Sequence, residues 1–366
     1  MKKLIVLIPE GISINYFAYQ AEAGASSGLK PHLDIVRSGR MKLRGPGASF
    51  AAVRKLVEDY KVDTVAIRVV YGGNEFETPL AYNGTHLRAL EDLVRESPVD
   101  LPPVIKLLKN LQRIIPAPEI LLFFETSFFV DLPLQERTYA LGDSSSDLSG
   151  KKSRAYRKYG YHGLFHEEGL RRVQREFPDA NRIISICLGP VPEVAAIYNR
   201  KPVMISSGST PLEGLPGNTT CGDMDPGVVM LLESKLGPEM TNEMLSRKSG
   251  LSALAEKSIT IEDLFRGDEK YGQARNLLQY RVLLSCGSAI AIMDGVDAVV
   301  FTGRYASSAV QLSEWLLPRL VSPAMPKLSG TSKNVGEPQK SVRAIYVHES
   351  LDRIIAEMCT SIPIPH

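Results

Sequence analysis

Short runs rich in Val, Ile and Leu alternate with longer stretches of helical period along the chain, which restricts it to an α/β architecture with sheets buried on at least one face. The runs predict strands at 3–8, 63–70, 119–124, 182–188, 298–302 and 342–347. Directly after the fourth, Val194-Ala-Ala-Ile-Tyr-Asn-Arg-Lys-Pro-Val-Met-Ile reads as a hairpin turning at Asn199-Arg200, which sets an antiparallel element beside parallel ones. Helix starts are legible too. Asp225 caps a helix that Pro226 opens, and Thr260-Ile-Glu-Asp263 has the spacing of a capping box. Residues 272–293 predict a long helix central to a second domain, and 306–320, with Trp315, an amphipathic one.

A chain of 366 residues exceeds one average core and fits two domains. Pro-rich and polar stretches at 96–103, 131–151 and 321–340 mark connections, with Gly142–Gly150 as an exposed loop. The first domain is expected over 1–130 plus 350–366, its last helix crossing back, and the second over 131–349. No sequence repeat is visible.

Lys and Arg total 43 against 41 Asp and Glu, a net charge of +2 that offers no basic face for nucleic acid. The apolar run Leu4–Ile8 is a strand, not a leader, and Val282–Met293 falls short of the ~20 apolar residues of a membrane span, so a cytosolic protein is expected. Cys187, Cys221, Cys286 and Cys359 lack CxxC spacing and read as ordinary thiols.

Phosphate-loop, dinucleotide and HExxH motifs are absent, so candidate chemistry lies in polar residues at strand ends. Arg68 stands between an apolar strand and Gly72-Gly73, and is either a bidentate anion ligand or a surface ion pair. Glu125 ends Ile120-Leu-Leu-Phe-Phe124 and suits a magnesium ion, a bound water or a helix cap. His162 and His166 have i,i+4 spacing and can share one helical face, without a third metal ligand. The glycine-punctuated loop 210–223 can present N–H groups to phosphate or be a plain connection.

These pieces, in this order, resemble the acetate and butyrate kinase family of the actin-like and sugar-kinase superfamily. The resemblance is carried by Arg68-Val-Val-Tyr-Gly-Gly73, Phe124-Glu-Thr-Ser-Phe128, Tyr159-Gly-Tyr-His-Gly163, Thr210-Pro-Leu-Glu-Gly-Leu215, Cys221-Gly-Asp-Met-Asp-Pro226, Gly295-Val-Asp-Ala-Val-Val-Phe-Thr-Gly303 and His348-Glu-Ser-Leu351. It implies two ribonuclease-H-like domains with a cleft between them, and phosphoryl transfer between ATP and a short carboxylate with Mg2+. It further implies a homodimer through the second domain, which is also the nucleotide side. By position, Arg68 is expected to bind the carboxylate and the transferring group, His162 to hold developing charge, and Glu125 and Glu349 to serve the metal. Val70, Val99, Tyr161 and Pro211 fall where the family builds its acyl pocket, and Gly189, Gly303 and Arg304 fall in its nucleotide loops.

The sequence departs from that pattern in places. Thr220 stands where the family has a second catalytic arginine, and its His-Leu-Gly-Asn-Gly loop is here Cys187-Leu-Gly-Pro-Val191. Thr302-Gly-Arg-Tyr-Ala-Ser-Ser308 replaces Thr-Gly-Gly-Ile-Gly-Glu-Asn, and Ile8-Pro-Glu-Gly-Ile-Ser-Ile-Asn15 replaces a serine- and lysine-bearing turn. Three readings follow: a divergent carboxylate kinase, a non-catalytic paralogue that binds a ligand or partner, and a site for another phosphorylated metabolite around Arg68 and Arg304.

Overall fold

The computed structural model describes residues 2–11, 13–21, 32–42, 48–97, 99–141, 156–266, 269–320 and 342–361. The predicted loop 142–150 and polar stretch 321–340 lie outside them. Backbone contacts group the chain into two compact units: Met1–Val130, Tyr161–Leu164 and Glu349–His366, and Asp131–Gly160 with Phe165–His348.

The first unit holds β1 (Lys2–Glu10), β2 (Ser13–Ala21), β3 (Leu33–Lys42), β4 (Thr64–Val69), β5 (Leu80–Ala81) and β6 (Glu119–Phe124) in one sheet of order β3-β2-β1-β4-β6-β5. β1 pairs parallel with β4 and β4 with β6, whereas β1, β2 and β3 form an antiparallel meander. The centre of this sheet is buried, with Ile5, Val6, Leu7, Val65, Ile67 and Phe123 all at 0% exposure, as continuous apolar strands covered on both faces require. Helices α1 (Ala48–Tyr60), α2 (Gly84–Asp92) and α3 (Leu101–Leu111) complete the first pass of the chain through this unit.

The second unit holds α4 (Leu134–Arg137), α5 (Gly163–Glu176), whose first two residues belong to the first unit, β7 (Arg182–Cys187), β8 (Glu193–Tyr198) and β9 (Lys201–Ile205). It continues with α6 (Pro226–Leu236), α7 (Pro238–Arg247), α8 (Gly250–Leu254), α9 (Ile261–Leu264), α10 (Gly272–Met293), β10 (Ala298–Thr302), α11 (Ala309–Leu320) and β11 (Arg343–Tyr346). Its sheet runs β11-β10-β7-β8-β9, with β11, β10 and β7 parallel and β7, β8 and β9 antiparallel. Apart from β5, which pairs antiparallel at the edge of the first, both sheets repeat one order, three antiparallel strands extended by two parallel ones, although the sequence shows no repeat. The last helix, α12 (Leu351–Ser361), belongs to the first unit and packs on β1, β2 and β4.

The predicted strands all occur, as does the 193–205 hairpin, whose turn residues Asn199 and Arg200 take positive φ. Asp225 Oδ1 accepts from the Gly227 N–H, and Thr260 and Asp263 close a full capping box. β2 and β3 were not anticipated, because Tyr, Gln, Arg and Ser dilute their apolar character. The stretch Glu269–Met293 is long and apolar enough to cross a membrane by length and composition, more than the 282–293 run suggested. One face of α10, including Ala274, Leu278, Val282, Cys286 and Ala289, is built into the core of the second unit. Burial pushes the Cys286 thiol up to about 12, so it remains a neutral apolar group there.

Candidate active site

In the first unit, β4 and β6 run parallel in the register Arg68↔Phe123 and Val69↔Phe124, and Glu125 extends the pairing by donating its N–H to the Val69 carbonyl at 2.9 Å. That register brings the two strand-end side chains together. Arg68 Nε donates to Glu125 Oε1 at 2.7 Å, with the arginine side chain 15% exposed and the carboxylate 0%. The ion pair open in the sequence reading is therefore present, but it is buried on one side and engages the arginine through Nε. A guanidinium held at Nε keeps a terminal edge with which to grip a carboxylate or phosphate side-on.

Close backbone packing shapes the surroundings. Thr126 Oγ1 accepts from the Gly72 N–H at 3.1 Å, and a Cβ at Gly72 would meet the Phe76 carbonyl at 2.9 Å. Gly163 donates its N–H to the Glu125 carbonyl at 2.9 Å, and a Cβ there would stand 2.3 Å from that oxygen, so only glycine fits. His162, just before it, is held at φ +52, in a region that non-glycine residues rarely occupy. Because α5 begins only at Gly163, His162 and His166 do not share a helical face. His166 is instead a core residue at 0% exposure, its Nδ1 bonded to Ser185 Oγ at 2.8 Å and its Nε2 3.5 Å from buried Glu193.

Of the acyl-pocket positions, Tyr161 is buried, Val70 and Pro211 are half-buried and Val99 is 60% exposed. Tyr71 is buried and donates from Oη to Glu96, three residues before Val99. Glu349 is half-buried just ahead of α12.

In the second unit the substituted segments bond to one another. Leu188 donates its N–H to the Thr302 carbonyl and accepts from the Tyr305 N–H, both at 2.8 Å. A Cβ at Gly303, φ +92, would stand 2.6 Å from the Leu188 oxygen. Asn218 donates from its backbone to the Pro190 carbonyl at 2.7 Å and from Nδ2 to Tyr305 Oη at 3.4 Å. Gly189 is buried between these contacts, and Arg304 is exposed beside them. The Thr220 hydroxyl is buried without a hydrogen-bond partner and turns towards Gly217, where a Cβ would lie 2.4 Å from it.

In the loop 210–223 five backbone amides are engaged, three within the loop and two with neighbouring segments. The N–H groups of Gly214, Gly217, Asn218, Cys221 and Asp223 are all engaged, with Asp223, Thr220, Pro190, Leu245 and Gly214 respectively. None of these five amides remains to cradle a phosphate.

Among the described residues no group of three or more His, Cys, Asp or Glu could hold a metal ion. A magnesium ion does not need one, since it usually takes one or two carboxylates together with waters and substrate phosphates. Glu125 fits that role: its Oε2 is buried and unpartnered, an acceptor whose desolvation is unbalanced until a cation or water meets it.

The family model described as the acetokinase family matches residues 48–348. An acetate kinase of Halothermothrix orenii is 30% identical over 71% of this chain, and the match spans 66% of that protein. One of Thermosipho africanus is 29% identical over 82% of the chain and 77% of its own length. The crystal structure of Porphyromonas gingivalis acetate kinase superposes with a TM-score of 0.76 at 24% identity, covering 99% of this chain and 100% of that one.

Proposed function

Since the chain belongs to the acetokinase family, whose two-domain actin-like fold it shares, we propose that it transfers a phosphoryl group between ATP and a short-chain carboxylate, forming an acyl phosphate. The observation that carries the reading is the Arg68–Glu125 pair, a one-side-buried guanidinium fixed at Nε with its terminal edge available to an anion.

In this reading a carboxylate oxygen attacks the γ-phosphorus, the bond to the bridging oxygen of ADP breaks, and ADP leaves with that electron pair. Arg68 orients the carboxylate and shares charge on the transferring group, and His162 supports the equatorial oxygens. Glu125 and Glu349 would hold Mg2+, which would supply charge neutralisation on the phosphates. Val70, Val99 and Tyr161 in the first unit, and Pro211 in the second, are the positions for the acyl side in this reading. Gly189, Gly303 and Arg304 face the nucleotide. The experiment is hydroxylamine trapping of acyl phosphate with ATP and Mg2+ across C2 to C5 acids. Product is expected with at least one acid, and none at high protein concentration would leave a non-catalytic binding protein in its place.

We also propose a homodimer through the second unit. Helix α6 buries none of its residues, and Val228, Met230 and Leu231 are 43%, 70% and 62% exposed, an apolar surface of the kind a partner covers. Sedimentation is expected to find a single dimeric species.

A further inference from the structure

Asp352 lies in the first turn of α12 at 4% exposure, and Tyr19 Oη on β2, itself 1% exposed, donates to its Oδ2 at 2.5 Å. Burial, then the bond to Asp352, hold the tyrosine far above its ordinary range, so it stays a donor. Arg353 adds a second tie, from Nη1 to the Leu33 carbonyl at 3.1 Å. The rest of this helix face is apolar, with Ile354, Ile355, Ala356 and Met358 at 1% exposure or less.

Apolar packing is non-directional and tolerates sliding, whereas a buried carboxylate that loses its partner costs more than a neutral polar group in the same position. The pair therefore favours one register of α12 on the sheet. A slide of one residue displaces a helical side chain by ~1.5 Å, while metal–ligand distances hold to about 0.2 Å. Glu349 stands three residues before Asp352.

We infer that the Tyr19–Asp352 pair is a positioning clamp, setting the register of α12 on the first sheet and so placing the Glu349 carboxylate for a divalent cation. The inference rests on the metal role proposed for Glu349. Mn2+ binding to the full chain, followed by electron paramagnetic resonance alongside the melting temperature, tests it.

E349Q is expected to weaken Mn2+ binding at least 10-fold, and Y19F likewise. The double variant Tyr19→Phe with Asp352→Leu replaces the polar pair by an apolar one. It is expected to melt no lower than wild type, as buried pairs replaced by apolar groups usually do, yet to bind Mn2+ as weakly as Y19F. If E349Q weakens binding but Y19F and the double variant bind as wild type does, the clamp is overturned and the metal role stands. If affinity merely follows melting temperature through the series, the pair is packing only and the clamp is likewise overturned. Wild-type affinity in E349Q would remove the metal role first and the clamp with it.

Discussion

The two sheets share the order β3-β2-β1-β4-β6 against β9-β8-β7-β10-β11, yet their strand ends carry different chemistry. In the first, the parallel strands β4 and β6 end in a charged pair, Arg68 and Glu125, with one carboxylate oxygen unpartnered. In the second, β7 and β10 end in Cys187-Leu-Gly and Thr302-Gly, where backbone bonds tie Leu188 to Thr302 and Tyr305 while the Thr302 and Thr220 hydroxyls are buried without a hydrogen-bond partner. A sheet keeps its order through buried apolar strands, so its ends are free to diverge. The first unit carries opposite charges at its strand ends, and the second carries hydroxyls and loops joined by backbone bonds.

Replacing the first unit's arginine should have the largest effect. Arg68→Lys removes the planar fork and the Nε bond to Glu125, and acyl phosphate formation should fall about 10²- to 10³-fold, about 3–4 kcal/mol of transition-state stabilisation. A fall of less than threefold in kcat/KM would mean that the pair is structural and the contrast between the units is empty. The second effect concerns Thr220, whose inward-turned hydroxyl contributes no charge. Arginines bearing transition-state charge are worth about 10³–10⁵-fold, so Thr220→Arg, imperfectly placed, should raise turnover at least about 10-fold. No rise, with unchanged melting, would mean that charge at this position does not limit turnover.

The smallest effect on activity is expected where the second unit is most exposed. M230D combined with L231D should shift sedimentation from dimer to monomer while changing kcat less than about threefold, since burying two carboxylates in an apolar contact is unfavourable. A dimer that persists would place the interface elsewhere.

Much of this was legible in the sequence, and the failures have identifiable causes. The strands β4, β6, β7 and β10 announced themselves because strands buried on both faces need unbroken Val, Ile, Leu and Phe. β2 and β3 did not, since β3 is an edge strand exposed on both faces from Asp34 to Arg40 and accepts Arg37, Ser38 and Arg40. Arg68 and Glu125 stood out as polar residues closing apolar runs, but nothing in either run says that parallel register sets them 2.7 Å apart. His162 and His166 looked equivalent at i,i+4, and a helix that starts at Gly163 separates them into a strained loop residue and a core residue. Tyr19 and Asp352 gave no signal, being 333 positions apart.

The sequence by itself determined the class, the main strands, the family and the residue types at the strand ends, because apolar period and short motifs are local properties of a chain. Tertiary structure alone decided the repeated strand order, the partners of the 210–223 loop amides, the inward turn of Thr220 and the Tyr19–Asp352 bond. The strand order and the Tyr19–Asp352 bond depend on hydrogen bonds between segments far apart, whose partners are fixed only when burial makes an unpaired polar group costly.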